Sequence, residues 1–247
     1  MNIRQSLGGG ARGFSPLKGK IKSYYCGEGF TLAEVLITLG VIGIVAALTL
    51  PTVIQHHKKQ EATARLKKFV SSMEQAIMLS EVDNGSALYW SKTGIIWNED
   101  GSDVVPSDQN AAINQWYNKY LKDYLKTVRI EATIPNDPSQ MRVYFADGST
   151  LKLYNGGCVD MRYDVNGERK PNVLGRDIFT FLLCLPPNNA TWHVLTNGKV
   201  FGAYDERVAT SREEAKRLCG GGGSMSYCTN LLQFDNWEFK DDYPYKL

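Results

Sequence analysis

The chain has 247 residues, of which 43% are hydrophobic, enough for one or two small globular units. Its formal net charge of +2 comes from the first 29 residues, because residues 30–247 hold 23 basic and 25 acidic side chains. This slightly acidic balance gives no electrostatic basis for nucleic-acid binding, and we expect no nucleic-acid partner.

Residues 1–28 are basic and glycine-rich and contain no apolar core of their own. A secretory signal peptide places its apolar region before its cleavage site. Here the candidate cleavage point, Gly29-Phe30, comes before the apolar region. Cleavage after Gly29 would therefore leave the hydrophobic segment in the mature protein, which argues against an ordinary secreted protein.

An apolar segment follows at residues 30–54. From Val35 to Ile54 no residue is formally charged, and a helix of about twenty residues spans about 30 Å, the thickness of a bilayer's hydrocarbon core. Glu34 lies at the front edge of this run, where a lone carboxylate is costly in lipid and requires a partner. Pro51 removes a helical hydrogen bond near the far end and predicts a kink or a locally loosened helix.

Residues 55–84 continue this helix with an amphipathic pattern. Apolar residues recur there at three- and four-residue spacing with charged residues between them, and Asn84-Gly85 provides a natural stop. We therefore predict one long helix, whose first half faces lipid or other subunits. Its second half packs on a head formed by residues 85–247.

This head is predicted to be α+β. Residues Asn110–Lys126 place apolar and aromatic side chains on one broad face, which predicts a second helix with a buried stripe; a carbohydrate-binding surface is the alternative. Beyond Thr127 the period changes to two, and Asp147-Gly148 separates two alternating runs as in a hairpin. Further strands are predicted at residues 158–163, 177–185, 192–196 and 199–204. Together these patterns indicate an antiparallel sheet packed against the long helix.

The cysteines indicate disulfides. Of the five, Cys26 precedes the candidate cleavage point, and the other four show no Cys-x-x-Cys spacing. An even number of this kind fits disulfides in an oxidising compartment better than a zinc site, although buried free thiols are the alternative. Four cysteines allow three pairings. We favour Cys158–Cys184 with Cys219–Cys228, because each of these bonds closes a short local segment of the chain.

An acidic segment offers a candidate metal site. The side-chain oxygens of Asp160, Asp164, Asn166 and Asp177 suit a hard cation such as calcium. The segment does not match the EF-hand loop, since Arg169 stands where that loop requires glycine. A structural turn held by Asp and Asn hydrogen bonds to the backbone is the favoured alternative. We find no nucleophile–base arrangement, and we expect no enzymatic activity and no cofactor apart from this calcium.

The order of a basic leader, Gly29, Phe30-Thr31-Leu32-Ala33-Glu34 and an apolar run resembles the N-terminal segment of the type IV pilin-like proteins. These include the type II secretion pseudopilins and the true pilins. The resemblance implies a pilin-like fold, removal of residues 1–29 by prepilin peptidase and N-methylation of Phe30. It also implies that Pro51 accompanies local melting of the helix when subunits pack into a filament.

The resemblance also implies that Glu34 sets the axial register between subunits during assembly. Its carboxylate would pair with the free α-amine of Phe30 on a neighbouring subunit. The alternative is that Glu34 merely lies at the level of the lipid headgroups.

The resemblance implies a structural pseudopilin of a type II secretion-type filament. Expected partners are copies of the chain or other pilin-like subunits, prepilin peptidase, the assembly machinery of the inner membrane and the lipid bilayer. The N-terminus is expected in the cytoplasm and the head in the periplasm or outside the cell. Alternatives are a type IV pilin of a surface fibre for adhesion or motility, a competence pilin that binds DNA, and a membrane-anchored enzyme.

Overall fold

The structure, a computed structural model, describes residues 29–92, 96–97, 103–104, 109–184, 196 and 198–247. It is α+β, with a long N-terminal helix and a six-stranded antiparallel sheet, as the sequence predicts. The leader residues 1–28, with Cys26, and most of the predicted strand 192–196 lie outside the described residues.

The sheet follows the order of the chain. The helices are α1 (Leu32–Asn84), α2 (Gln109–Tyr120), α3 (Arg212–Arg217) and α4 (Cys228–Phe234). The strands are β1 (Ile96–Trp97), β2 (Asp103–Val104), β3 (Arg129–Glu131), β4 (Gln140–Tyr144), β5 (Thr150–Asn155), β6 (Val159–Asp164), β7 (Ile178–Leu183) and β8 (Phe201–Ala203). Strands β3 to β8 pair antiparallel with their sequence neighbours, and β1 pairs with β2. The predicted hairpin is β4–β5, where Gly148 adopts the positive φ of +83° that its turn requires.

The long helix α1 has two contrasting stretches. Side chains at residues 30–54 are all exposed, and this part of the helix is long and apolar enough to cross a membrane, judged by length and composition. Further along, one face of the helix is buried against the head, as the amphipathic pattern predicts. That face consists of Ala62, Leu66, Phe69, Val70, Met73, Ala76, Ile77 and Ser80.

Phe69 lies at the centre of the contact between α1 and the sheet. Its ring stacks on Tyr163 with centroids 4.0 Å apart, and it meets Phe181 edge-on at 5.1 Å and Phe145 at 6.2 Å. Aromatic pairs of this kind contribute about 0.5–1.5 kcal/mol each beyond their buried area. This aromatic cluster therefore contributes to the packing of the second half of α1 on the sheet.

The predicted helix Asn110–Lys126 is shorter in the structure, where α2 ends at Tyr120. The backbone N–H groups of Leu121 and Lys122 both donate to the carbonyl of Tyr117, at 2.9 and 3.0 Å, so the second bond spans five residues and the regular α-helical pattern ends there. The aromatic stripe is nevertheless buried, and its interpretation as core is confirmed. Its buried members are Ile113, Trp116, Tyr117, Tyr120, Leu121 and Leu125.

The last residues of the head are fastened to α1. The Lys59 ammonium donates to the Lys240 carbonyl at 3.3 Å, and Lys67 forms an ion pair with Glu238. The partners in these contacts are 181 and 171 residues apart in the chain. These contacts therefore hold the C-terminal segment of the head against α1.

Candidate functional site

Glu34 lies in the first turn of α1 and forms a capping box with Thr31. Its Oε2 atom accepts hydrogen bonds from the Thr31 backbone N–H at 2.8 Å and from the Thr31 hydroxyl at 2.9 Å. In return, Thr31 Oγ1 accepts from the Glu34 N–H at 3.2 Å. Backbone donors that have no partner within the helix are satisfied in this way. This cap was not predicted, although Thr-x-x-Glu before an apolar run is its sequence signature.

The residues around the candidate cleavage point are accessible. Phe30 is 86% exposed, and a Cβ added to Gly29 would meet no atom within 4 Å. Packing therefore does not account for a glycine at position 29. Both contacts of Glu34 with Thr31 use one carboxylate oxygen, so the other oxygen keeps its capacity to accept hydrogen bonds.

Pro51 lies inside α1, and the helix continues on both sides of it. Proline lacks the backbone N–H that would bond to the preceding turn, so the helix is one hydrogen bond weaker there. The local loosening expected during filament assembly stays a prediction.

The described residues contain two disulfides, and they are the two pairs that were favoured because each closes a short segment of the chain. Cys158 bonds to Cys184 and joins the start of β6 to the end of β7, with Cα atoms 4.4 Å apart. Cys219 bonds to Cys228 at the start of α4, with Cα atoms 4.5 Å apart. All four cysteines are buried, so both cross-links lie within the packed head.

Three of the four candidate calcium ligands come together in a hydrogen-bonded turn. The Asn166 side-chain amide donates to Asp177 Oδ2 at 3.1 Å, and its backbone N–H donates to Asp164 Oδ1 at 3.1 Å. Asp177 also accepts the backbone N–H groups of Asn172 at 2.7 Å and Val173 at 2.6 Å. Both Asp177 oxygens and Asp164 Oδ1 are thus used by the turn itself, whereas Asn166 Oδ1 is buried without a hydrogen-bond partner.

The fourth candidate, Asp160, lies elsewhere on β6, about 13 Å from Asp164 by strand rise. Burial raises the pKa of Asp164 to about 7, and the charge of Asp177 adds to this increase. Within the described ranges, no group of three or more His, Cys, Asp or Glu side chains has an arrangement that could hold a metal ion. The geometry therefore favours the structural turn.

Lys92 has a structural role that the sequence did not indicate. Its buried ammonium donates to Asn155 Oδ1 at 3.1 Å and to the Gly156 carbonyl at 2.6 Å. Burial lowers the pKa of Lys92 to about 8, although the nearby Asp160 opposes this effect. The lysine ties the segment after α1 to the turn between β5 and β6. A single lysine in a polar stretch carries no sequence signal for this contact.

Comparison with known proteins identifies a family. A family model matches residues 52–247, and the chain belongs to this family of unknown function (DUF6613). The match covers the amphipathic part of α1 and the head, and it begins near the end of the apolar run. No curated protein and no solved structure matches the chain.

Proposed function

We propose that this chain is a pseudopilin-like structural subunit of a type II secretion-type filament, with a pilin-like fold. In this proposal, prepilin peptidase removes residues 1–29 at the cytoplasmic face of the inner membrane and methylates the new N-terminus, Phe30. The apolar half of α1 anchors the subunit in the bilayer and later packs against α1 of identical or other pilin-like subunits. The head remains on the periplasmic or extracellular side.

The observation that carries the proposal is a single carboxylate at the start of an exposed apolar helix. Every side chain from residue 30 to residue 54 is exposed, and Glu34 is the sole formal charge among them. A lone carboxylate is unfavourable in lipid unless a group of opposite charge or a donor meets it. The α-amine of a processed Phe30 on a neighbouring subunit supplies that charge. Because desolvation offsets much of the attraction, the pair contributes axial register more than net stability.

The capping box adds a requirement to any test of this proposal. Glu34 caps its own helix through Thr31, so its removal changes both the cap and the charge. Glutamine at the same position preserves the capping box but carries no charge. Valine in place of Thr31 removes the side-chain half of the cap and leaves the Glu34 charge intact. The two variants therefore separate the two roles.

The experiment compares Glu34→Gln and Thr31→Val with wild type in cells that assemble the filament. Thr38→Val is the matched control, because the Thr38 hydroxyl donates to the Val35 carbonyl within the same helix at 3.0 Å. Intact mass should show that every variant begins at Phe30 with one methyl group, and fractionation should place each in the membrane. Glu34→Gln should fail to enter filaments in a cross-linking assay, whereas Thr31→Val and Thr38→Val should enter them.

Two results would contradict the proposal. Normal assembly of Glu34→Gln would contradict a role for its charge, and a defect of Thr31→Val alongside it would reduce Glu34 to a helix cap. A mature protein that begins at Met1 would contradict processing at Gly29.

A deletion strain distinguishes the kinds of filament. Loss of protein secretion without loss of surface fibres is the expected result for a secretion pseudopilin. Loss of surface fibres with normal secretion, seen by electron microscopy, would identify a type IV pilin instead. Loss of DNA uptake alone would identify a competence pilin.

A further inference from the structure

The register of the sheet aligns three cations and a threonine across its outer face. Arg142 on β4 lies opposite Lys152 on β5, Lys152 lies opposite Arg162 on β6, and Arg162 lies opposite Thr180 on β7. Their neighbours along each strand, such as Val143, are buried on the face that meets the helices. Opposed residues in adjacent antiparallel strands have Cβ atoms about 4.5–5.5 Å apart, so this row forms one polar strip.

The cations of this row differ in their partners. Arg142 is neutralised by Glu168 and by Glu131, the latter at 3.6 Å. In the described part of the chain, neither Lys152 nor Arg162 forms an ion pair. Like charges placed directly opposite each other in a sheet are destabilising. Burial lowers the pKa of Lys152, the charges of Arg142 and Arg162 add to this effect, and those of Asp137 and Asp164 oppose it. An anion at this position would relieve the repulsion.

A cavity of ≈ 350 Å³ is lined by both Lys152 and Arg162. Thr180 also lines it and is 5% exposed, and its buried hydroxyl has no hydrogen-bond partner. A buried hydroxyl without a partner destabilises the fold, and a ligand that accepts its hydrogen bond would remove that cost. The row therefore presents two charged donors and one neutral donor to the same space.

The rest of the lining indicates the size and polarity of the ligand. Tyr154 and Tyr204 line the cavity, and Asp160 is the one carboxylate among the described lining residues. The volume falls in the range of small-molecule sites, so it has room for more than a bare oxyanion. A carboxyl group and two phenols suit hydroxyl groups, which can both donate and accept hydrogen bonds.

We propose that this cavity binds a small hydroxyl-bearing acid, such as a uronic acid or a sugar phosphate. Lys152 and Arg162 hold its oxyanion, the Thr180 hydroxyl donates to that group, and Asp160 accepts from a ligand hydroxyl. A carboxylate and a phosphate share this chemistry, since both offer several oxygens to charged donors. The proposal concerns the head alone and does not depend on filament assembly.

The test is calorimetric titration of the full chain in detergent with glucuronate, glucose 6-phosphate, inorganic phosphate and glucose. The two hydroxyl-bearing acids should bind, and glucose and inorganic phosphate should each bind at least about tenfold more weakly, since each lacks part of the recognised chemistry. Arg162→Gln and Lys152→Met should each weaken binding of the acids by about tenfold or more, because each removes a charged donor. Thr180→Val should weaken it by a smaller factor. Arg169→Gln, which removes an exposed cation outside the cavity, is the matched control and should leave binding unchanged.

The thermal midpoint measured without ligand shows whether a variant is folded. Without ligand, Lys152→Met should raise the thermal midpoint, because it removes a like-charge contact. The proposal is overturned if neither acid binds at about 10 mM, or if glucose binds as tightly as the acids. It is also overturned if Arg162→Gln leaves binding unchanged or if Arg169→Gln weakens it equally.

Discussion

Replacement of Phe69 by alanine tests how the second half of α1 is held on the sheet. Phe69 is 4% exposed and contacts aromatic rings from four strands or strand ends. Truncation of a buried phenylalanine to alanine costs about 3–5 kcal/mol, because it loses transfer free energy and leaves a cavity. Phe69→Leu keeps most of the volume and should cost less, about 1.5 kcal/mol.

Urea denaturation of the chain in detergent, followed by tryptophan fluorescence with the disulfides intact, measures this loss. With a slope of about 2 kcal/mol per molar urea, Phe69→Ala should lower the midpoint by about 2 M. Met78→Ala is the matched control on the same helix, since Met78 is 65% exposed, and it should change stability by less than about 0.5 kcal/mol. Equal losses for Phe69→Ala and Met78→Ala would refute the packing of α1 on the sheet through this face.

Two further predictions concern the head. Serine replacement of both cysteines of Cys158–Cys184 should lower the free energy of unfolding by about 3.5 kcal/mol, and the same change at Cys219–Cys228 should lower it by about 2.5 kcal/mol, because the closed loops differ in length. Urea denaturation with and without reductant measures these losses, and an unchanged midpoint would contradict the prediction. Asp164→Asn should stabilise the head near pH 8 and have little effect near pH 4. Since burial raises the folded-state pKa of Asp164 to about 7, wild type loses stability as the pH rises from about 4 to 7, and the variant should lose less. Parallel pH profiles would contradict this reasoning.

Features that depend on local periodicity could be predicted from the sequence. The amphipathic face of α1 and the β4–β5 hairpin follow from spacings of three to four and of two residues, and both are in the structure. The end of α2 could not be predicted in the same way. Leu121 and Leu125 remain buried after the helix stops at Tyr120, so the apolar pattern continues although the backbone does not.

Features that depend on register or on distant contacts could not be predicted. Lys152 and Arg162 were each expected to lie on a strand, but the sequence of a strand does not say which residue of its neighbour lies opposite. Lys92 meets Asn155, which is 63 residues away, and neither residue carries a local signal of that contact. The Thr31–Glu34 cap is different, because its spacing was present in the sequence.

The attachment of the last residues to α1 has a consequence for when the head can finish folding. The contact between Lys67 and Glu238 closes a loop of most of the chain, and contacts of such long separation form late because the closure entropy must be overcome first. Until Glu238 and Lys240 arrive, the part of α1 around Lys59 and Lys67 lacks these partners. In the proposed topology the head lies across the membrane from the cytoplasm, where the chain is synthesised. Completion of its tertiary structure would then wait for the end of translocation and take place in the compartment where its cysteines can oxidise.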